Sequence, residues 1–335
     1  MKRRTFITLI GGAAAWPLKA RAQQPAKMKR IAMVHPSEPI ANIVVSYDRF
    51  YRRFFDELSR IGFVEGKNLV VDRYSALGQR DRYAQLARDV VNTRPDAIFA
   101  IEGGLGLASK AATTTIPIVT IANDPVALGL ISNIARPGGN VTGTALNAGS
   151  EIWGKRIGLL KEVLPKLSKV SIIVQARRVW EEAPFGSEVR RAAKAANIAL
   201  NAVVFDGTIN EAAYQRAFAA FEQDRPDALM VSEFPVHFTN RVTIVELAEE
   251  HHLPTLYTWR DFVEIGGLMA YSPDLAELGR SCGYQIGQIL NGANPGDIPF
   301  IQVTGQELAL NLKTAKSLGI EFPATLLGSA DFVVE

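Results

Sequence analysis

Two glutamates stand at equivalent places in two similar segments of this sequence, and carboxylates placed in this way could do chemistry. Glu102 ends the segment RPDAIFAIE, and Glu233 ends the segment RPDALMVSE. A facing pair of carboxylates can act as general acid and base, or it can bind a cationic group of a ligand. Ligand-binding or solvated acids are the commoner case, so the pattern favours binding over catalysis.

The other reactive side chains form no recognisable catalytic set. The histidines are His35, His237, His251 and His252, and the last two, being adjacent, would point about 100° apart on a helix and could not chelate one ion. No G-x-S-x-G nucleophile elbow is present. The single cysteine, Cys282, excludes an intrachain disulfide and a cysteine-cluster metal site. The sequence therefore predicts no enzyme, no bound metal and no cofactor.

A glycine-rich turn, Gly103-Gly104-Leu105-Gly106, directly follows Glu102. Dinucleotide binding needs three glycines spaced G-x-G-x-x-G in the first βαβ unit, whereas this turn has another spacing and follows the third predicted strand. Glu102 would also repel a phosphate. Backbone N–H groups at a helix start still suit a small anionic or polar ligand, so Gly103 and Gly104 are candidate ligand contacts.

The elements around the two RPDA segments occur twice in the same order. The proline ends a helix, and the apolar run after it shows no alternation, which is typical of a parallel strand covered on both faces. The predicted fold class is α/β, with two similar doubly wound parallel-sheet lobes. The predicted strands are Arg30–Val34, Asn68–Tyr74, Ala97–Ile101 and Ile116–Ile121 in the first lobe, and Val170–Val174, Ala199–Phe205, Ala228–Val231 and Leu253–Tyr257 in the second.

The remaining sequence, including the predicted strand Gly266–Tyr271, is expected to return to the first lobe. Three chain crossings are expected to form a hinge, near residues 142–148, 259–266 and 300–306. The predicted lobes are residues 30–147 with 262–300, and residues 148–261 with 301–335.

Ligands of open parallel sheets bind outside the carboxyl ends of the strands. Aromatic rings at such ends suit a planar apolar ligand, and an arginine can clamp a carboxylate through two hydrogen bonds. The alternative is that the two arginines among these residues pair with the neighbouring acids Glu181, Glu182 and Asp261 on the surface. The candidate contacts are Ser37, Glu102, Gly103, Gly104, Asn123 and Asp124 in the first lobe, and Arg177, Trp180, Glu233, Phe234, Tyr257, Trp259 and Arg260 in the second.

The first 22 residues have the pattern of an export signal. Lys2-Arg3-Arg4 is followed by the apolar run Phe6–Ala15 and by Ala20-Arg21-Ala22, a small-x-small cleavage site. Arg3-Arg4-Thr5-Phe6-Ile7 also fits the twin-arginine pattern, although an ordinary secretory signal remains the alternative. We expect cleavage after Ala22 and a periplasmic protein that is soluble and not membrane-anchored, because no lipid-attachment cysteine follows. We also expect a monomer.

The net charge of +3 depends on this segment. The segment contains five of the 37 basic residues and no acid, so the mature chain, with 34 acids, carries about −2. No basic surplus is left to bind nucleic acid.

Three long motifs stand in this order in the sequence: DPVALGLISNIARPGGNVTG (124–143), FVEIGGLMAYSPD (262–274) and LNLKTAKSLGIEFPATLL (310–327). They closely resemble the uncharacterised ABC-transporter substrate-binding proteins, a group that also contains aromatic amino-acid binders. The resemblance covers essentially the whole mature chain, but two places depart from the family pattern: Gln175-Ala176-Arg177 replaces an asparagine-proline pair, and Ser329-Ala330-Asp331 replaces arginine-alanine-aspartate.

The resemblance implies the type I periplasmic-binding-protein fold, with ligand held between two lobes joined by three hinge strands. It also implies that the protein captures a small amino acid or aromatic or organic acid and delivers it to an ABC permease. A periplasmic sensor that signals to a membrane receptor is the alternative, and a periplasmic enzyme is a weaker one. A DNA-binding regulator with the same lobes is excluded, because the export signal stands where its helix-turn-helix would be.

Overall fold

A computed structural model describes residues 28–146, 151–181, 184–205 and 207–335. The predicted signal segment and Glu182 lie outside these residues. The strands are β1 (Lys29–His35), β2 (Leu69–Ser75), β3 (Ala97–Ala100), β4 (Ile118–Ala122), β5 (Val141–Ala145), β6 (Lys169–Val174), β7 (Ala199–Val204), β8 (Ala228–Val231), β9 (Thr255–Tyr257), β10 (Met269–Pro273), β11 (Ile301–Gln302), β12 (Gln306–Asn311) and β13 (Phe332–Val334).

Helices connect these strands on both faces of the sheets. No helix in the described ranges is long and apolar enough to cross a membrane. The α-helices are α1 (Arg49–Ile61), α2 (Tyr83–Asn92), α3 (Gly103–Ala112), α4 (Glu151–Val163), α5 (Arg177–Glu181), α6 (Pro184–Ala195), α7 (Glu211–Ala219), α8 (Pro235–Thr239), α9 (Arg241–Glu250), α10 (Arg260–Glu264), α11 (Leu275–Leu290), α12 (Leu312–Ser317) and α13 (Ala324–Gly328). Short 3-10 helices occupy Ile40–Asn42, Arg80–Arg82, Ala220–Glu222 and Pro295–Asp297.

The strands form two separate sheets, one for each lobe. Their orders are β11-β5-β4-β3-β1-β2 and β13-β12-β10-β9-β8-β6-β7. The strand pairs of the described chain are parallel, except that β12 runs antiparallel to β10. In each sheet the first strand of the lobe lies between the second and the third, which is a doubly wound order. The predicted fold class is therefore confirmed.

Strand β10 corrects the predicted course of the chain between the lobes. We expected residues 262–300 to lie in the first lobe, but β10 pairs with β9 and β12 in the second sheet. The chain reaches the first lobe only after Pro273, where α11 packs against α1. The prediction of a chain crossing near residues 259–266 is therefore wrong. An apolar run such as this one fits a buried position in either sheet, and only hydrogen bonding to β9 decides between them. The short strand β11, expected in the second lobe, pairs with β5 of the first.

Alternate residues of each buried strand pack on opposite faces of its sheet, as strand geometry requires. In β1, Ile31 and Met33 belong to the core beneath α1 and α11. Ala32 and Val34 belong to the core beneath α2 and α3. Both faces are covered, which explains why the strands read as continuous apolar runs.

The contact between α1 and α11 covers one face of the first lobe. Phe50 and Phe54 of α1 are buried, and the ring of Phe54 stacks on Phe99 of β3 at 4.9 Å. Facing them on α11 are glycines, and a Cβ atom on Gly279 would lie 2.2 Å from the carbonyl oxygen of Phe50. A Cβ on Gly283 would lie 2.5 Å from the carbonyl oxygen of Phe54. The two helix backbones therefore approach as closely as only glycine allows.

Substituting Gly279→Ala is expected to lower the free energy of unfolding by about 1–3 kcal/mol, because the added methyl group must push α11 away from α1. Urea denaturation measures the change. The control is Gly154→Ala in α4, where a Cβ meets nothing within 4 Å and alanine should stabilise the helix by about 0.5–1 kcal/mol. Equal effects of the two substitutions would contradict the close helix contact.

Candidate ligand-binding cleft

A cavity of about 680 Å³ lies between the lobes, at the carboxyl ends of the strands of both sheets. This volume is within the usual range of small-molecule sites. The structure brings the majority of the sequence-predicted contacts to the wall of this cavity, although their binding of a ligand stays a prediction. The predicted contacts that line the cavity are Glu102, Gly103, Gly104, Asn123, Asp124, Glu233, Phe234 and Trp259.

Three other predicted contacts lie away from the cavity because they pack against protein. The Oγ atom of Ser37 is 2.9 Å from Oγ1 of Thr239 in the opposite lobe. Tyr257 is buried in the second lobe, with its ring stacked at 4.8 Å on Phe262. The ring of Trp180 lies under the guanidinium of Arg190.

The two arginines predicted to clamp a carboxylate also lie away from the cavity. Arg177 is 3.1 Å from Glu181, one helical turn further along α5. Arg260 forms ion pairs with Glu264 at 2.7 Å and Glu307 at 3.4 Å. This corrects the predicted clamp. Arg177 pairs with Glu181, as in the alternative, whereas the partners of Arg260 are Glu264 and Glu307 and not the expected Asp261, which pairs with Arg49. The sequence pattern could not show which of several cleft-end arginines points inward.

His35 is a polar cavity residue that the sequence reasoning missed. Its Nδ1 atom accepts the backbone N–H groups of Ser37 at 3.1 Å and Glu38 at 2.7 Å. These bonds leave the proton on Nε2, so the neutral ring has a donor left for a ligand. Burial lowers the pKa of His35 to about 3, because an imidazolium would lose its hydration. Ser37 of the same loop was a predicted contact, whereas His35 was not.

Asp48 and Tyr51, at the start of α1, add further polar groups to the same wall. Asp48 is the N-cap of the helix, and its Oδ1 atom accepts the backbone N–H of Tyr51 at 2.8 Å. Burial raises the pKa of Asp48 to about 6. The hydroxyl of Tyr51 is buried and has no hydrogen-bond partner among the described residues.

Glu102 has partners within its own lobe. Its carboxylate accepts hydrogen bonds from Arg80 at 2.7 Å and from the Tyr83 hydroxyl at 2.7 Å. The backbone of Glu102 has φ of +113°, in a region that side chains other than glycine rarely adopt. These side-chain bonds hold the strained residue at the start of α3, and they leave Glu102 less available to a ligand than its position in the sequence indicates.

The second-lobe wall is aromatic. The ring centroids of Trp153 and Phe185 are 5.3 Å apart, and those of Phe185 and Phe234 are also 5.3 Å apart. Trp259 lines the cavity from the end of β9. Trp153 and Phe185 lie on helices, away from the strand ends at which contacts were predicted from the sequence. These rings form a surface suited to a flat apolar group.

Arg156 of α4 lies among these rings and is nearly completely buried, with 2% of its side chain exposed. Its Nε atom donates to the carbonyl oxygen of Tyr271 at 3.0 Å, and Nη1 donates to Oε2 of Glu233 at 3.3 Å. Its guanidinium carbon lies 4.5 Å from the ring centre of Trp153. Burial lowers the pKa of Arg156, and the charge of Glu233 opposes that shift.

Polar contacts connect the two lobes. Asn123 at the cavity wall donates to Oε1 of Glu233 at 2.8 Å. The lobes therefore touch each other next to the cavity. Further contacts between the lobes join Thr239 to Glu38 at 2.8 Å, Arg241 to Tyr47 at 3.1 Å, and Arg49 to Asp261 at 3.1 Å and Glu307 at 3.0 Å.

Metal chemistry is not indicated by the residues that the structure describes. In that part of the chain no three His, Cys, Asp or Glu side chains cluster as metal ligands. The arrangement is that of a ring-lined pocket with a few fixed charges, which can bind a small molecule.

Comparison with known proteins gives one family and consistent structural neighbours. The sequence pattern of the ABC transporter substrate binding protein family matches residues 43–334. A tyrosine-binding protein of Clostridioides difficile (strain R20291) is 27% identical over 277 residues, which cover 82% of this chain and 78% of that protein.

Two solved structures show the same fold. A conserved domain protein from Vibrio cholerae has a TM-score of 0.80 at 25% identity, with 92% of this chain and 100% of the other covered. An ABC domain from Streptococcus pneumonia, in complex with L-Trp, has a TM-score of 0.78 at 21% identity, with the same coverage. The type I periplasmic-binding fold and the family resemblance expected from the sequence are thereby confirmed.

Replacing His35 with glutamine is expected to change how stability depends on pH. The pKa of His35 is lower in the folded chain than in the unfolded chain, so the unfolded state binds the proton first as pH falls below about 6.5. Its contribution to stability is therefore present near pH 7 and is lost between about pH 6.5 and pH 3. His35→Gln should reduce the slope of unfolding free energy against pH in this window by up to about 1.4 kcal/mol per pH unit.

Urea denaturation at pH 4, 5, 6 and 7 measures that slope. The matched control is His237→Gln in the second lobe, whose pKa burial also lowers to about 3 but which does not line the cavity. His35→Gln and His237→Gln should reduce the slope of unfolding free energy against pH by similar amounts, and the two reductions should add in the double variant. A wild-type slope in His35→Gln would show that the ring is not buried in its neutral form.

Proposed function

The chain belongs to the family of ABC transporter substrate binding proteins, and from that premise we propose that it captures an aromatic amino acid or small aromatic acid in the interlobe cleft and delivers it to an ABC permease. The observation that carries this proposal is the interlobe cavity, whose second-lobe wall combines aromatic rings with the Arg156–Glu233 ion pair. Rings bury a flat apolar body, and the charged groups orient its polar end.

Two relatives support an aromatic ligand. One is the tyrosine-binding protein of Clostridioides difficile, and the other was crystallised with L-Trp. In this chain the rings of Trp153, Phe185, Phe234 and Trp259 all lie at the cavity. An aliphatic ligand would leave these ring faces without a planar partner.

Binding without catalysis agrees with the way the reactive groups are used. The Nδ1 atom of His35 is bonded to backbone, and Glu102 is held by Arg80 and Tyr83. Neither is paired with a nucleophile, as a general base would be. We therefore infer that the cleft binds and releases its ligand unchanged.

Release to a permease requires the lobes to open, and we propose that the three chain crossings act as the hinge. The chain passes between the lobes after β5 and before α4, after β10 and before α11, and between β11 and β12. A few such terminal residues can absorb the backbone change of domain closure. The contacts between Asn123 and Glu233 and between Ser37 and Thr239 would break on opening.

Thermal unfolding of the mature protein tests the ligand class. L-Tyrosine, L-tryptophan or L-phenylalanine, or the corresponding aromatic acids, should raise the unfolding midpoint, because a ligand at 100 times its Kd adds about 2.7 kcal/mol of stability to the folded state. L-Alanine and glucose, which lack a ring, are the controls. The proposed ligand class is wrong if no aromatic compound shifts the midpoint or if alanine shifts it equally.

We also propose that residues 1–22 direct export to the periplasm and are then removed. This proposal rests on Arg3-Arg4-Thr5-Phe6-Ile7 and on the small-x-small site that ends at Ala22. N-terminal sequencing of protein recovered from the periplasm should give Gln23 as the first residue. Retention of the signal, or protein found only in the cytoplasm, would refute export by this segment.

A further inference from the structure

We propose that Arg156 and Glu233 together recognise a zwitterion, so that the ligand is an α-amino acid and not an aromatic acid or amine. Arg156 binds the ligand carboxylate, and Glu233 binds its ammonium group. This inference rests on the proposed function and narrows its ligand class.

Arg156 has hydrogen-bonding capacity that the protein does not use. A guanidinium carries five N–H donors, and the bonds to Tyr271 and Glu233 use two of them. The other donors have no partner in the described part of the chain. Because Arg156 lines the cavity and is almost fully buried, those donors gain a partner when a ligand carboxylate enters.

Glu233 lies beside Arg156 and has capacity of the opposite kind. Its two carboxylate oxygens accept from Asn123 at 2.8 Å and from Arg156 at 3.3 Å, one bond each. Each carboxylate oxygen has two lone pairs, so a ligand ammonium group can be added without displacing either bond. The carboxylate and ammonium groups of an α-amino acid are both bonded to the α-carbon. They therefore lie close together and need a positive and a negative side chain that are adjacent, as Arg156 and Glu233 are.

Charge balance favours a zwitterion over a simple ion. The Arg156–Glu233 pair is neutral as a unit, and a zwitterion adds no net charge to it. An aromatic acid without an amino group would add one negative charge to a wall that already carries Asp124, Glu188 and Glu233, and an amine would leave the unused donors of Arg156 without a partner. Uncompensated charge in such a place is costly. The lowered pKa of Arg156 agrees with a guanidinium whose burial a single carboxylate does not offset.

The aromatic wall begins at the same pair. Trp153 stacks on the guanidinium of Arg156, and Phe234 directly follows Glu233. A ligand whose α-carbon lies at the charged pair therefore places its side chain against the rings. Another ion pair on the cavity wall, Arg80 with Glu102, has an arginine side chain that is 40% exposed and a carboxylate already bound by Tyr83, so it is a weaker candidate.

Matched ligand triplets test the proposal by calorimetry. Tyrosine, phenylalanine and tryptophan are each compared with the amine that lacks the carboxylate and with the propionic acid that lacks the amino group. For the wild-type protein, loss of either group should weaken binding of the preferred amino acid by at least about 30-fold, the lower end of the range for cutting a desolvated charge pair in half.

Two variants assign the two charges. In Arg156→Gln, removal of the ligand carboxylate should cost less than about threefold, because its partner is already gone. In Glu233→Gln, removal of the ligand amino group should likewise cost little, while the penalty for removing the carboxylate stays. A residue with a structural role alone would lower affinity for all members of a triplet equally. Arg156→Lys keeps the charge without the planar fork, and it should retain part of the preference for a carboxylate if Arg156→Gln does not fold.

Arg190→Gln is the matched control. Arg190 also stacks on a tryptophan, Trp180, but it is exposed and does not line the cavity, so its loss should leave every ratio within a triplet unchanged. The proposal is overturned if wild-type protein binds an aromatic acid as tightly as its amino acid, a result that would leave the proposed function intact. It is overturned too if Arg156→Gln keeps the full penalty for removing the carboxylate. Absence of binding for every triplet would refute both the inference and the proposed function.

Discussion

The buried positive charge of Arg156 determines which groups must lie around it in the cleft. Arg156 could not lie among Trp153 and the neighbouring rings without a carboxylate within reach, because an unpaired charge is very costly in such surroundings. Glu233 supplies that carboxylate from the end of β8, and its second oxygen receives Asn123 from the other lobe. One carboxylate thus stabilises the charge inside its own lobe and joins the lobes. The apolar wall, the polar end of the pocket and a contact between the lobes meet at Glu233.

Much of the fold could be predicted from the sequence because its rules are local. Proline after arginine ended the preceding helix, and buried apolar runs such as Ala97–Ala100 and Ala228–Val231 could only be strands covered on both faces. The partner of β10 could not be predicted in this way. Its residues are buried in either sheet, and the choice depends on which strand edge is free, a property of the assembled lobe and not of the segment.

The site was predicted less completely, and for a physical reason. Strand ends mark the crevice, so Glu102, Asn123, Glu233 and Trp259 were found. Arg156 occupies an ordinary position on a helix, and nothing in the residues around it distinguishes a buried arginine from a solvated one. Arg260 is the opposite case. It stands at a strand end, yet it pairs with the neighbouring acid Glu264 and does not line the cavity. The direction of a long charged side chain depends on tertiary partners that local sequence does not specify.

The pairing of α1 with α11 also has a consequence for how the chain reaches this structure. The first lobe is closed by Leu275–Leu290, a helix made after most of the second sheet has already been synthesised. Until that helix arrives, the face of the first lobe that it covers is exposed, and contacts between such distant segments form slowly. The two lobes therefore cannot mature one after the other as the chain emerges, and they are completed together near its end. A nascent chain of this protein carries an exposed apolar face for most of its synthesis, a state in which unfolded chains are prone to aggregate.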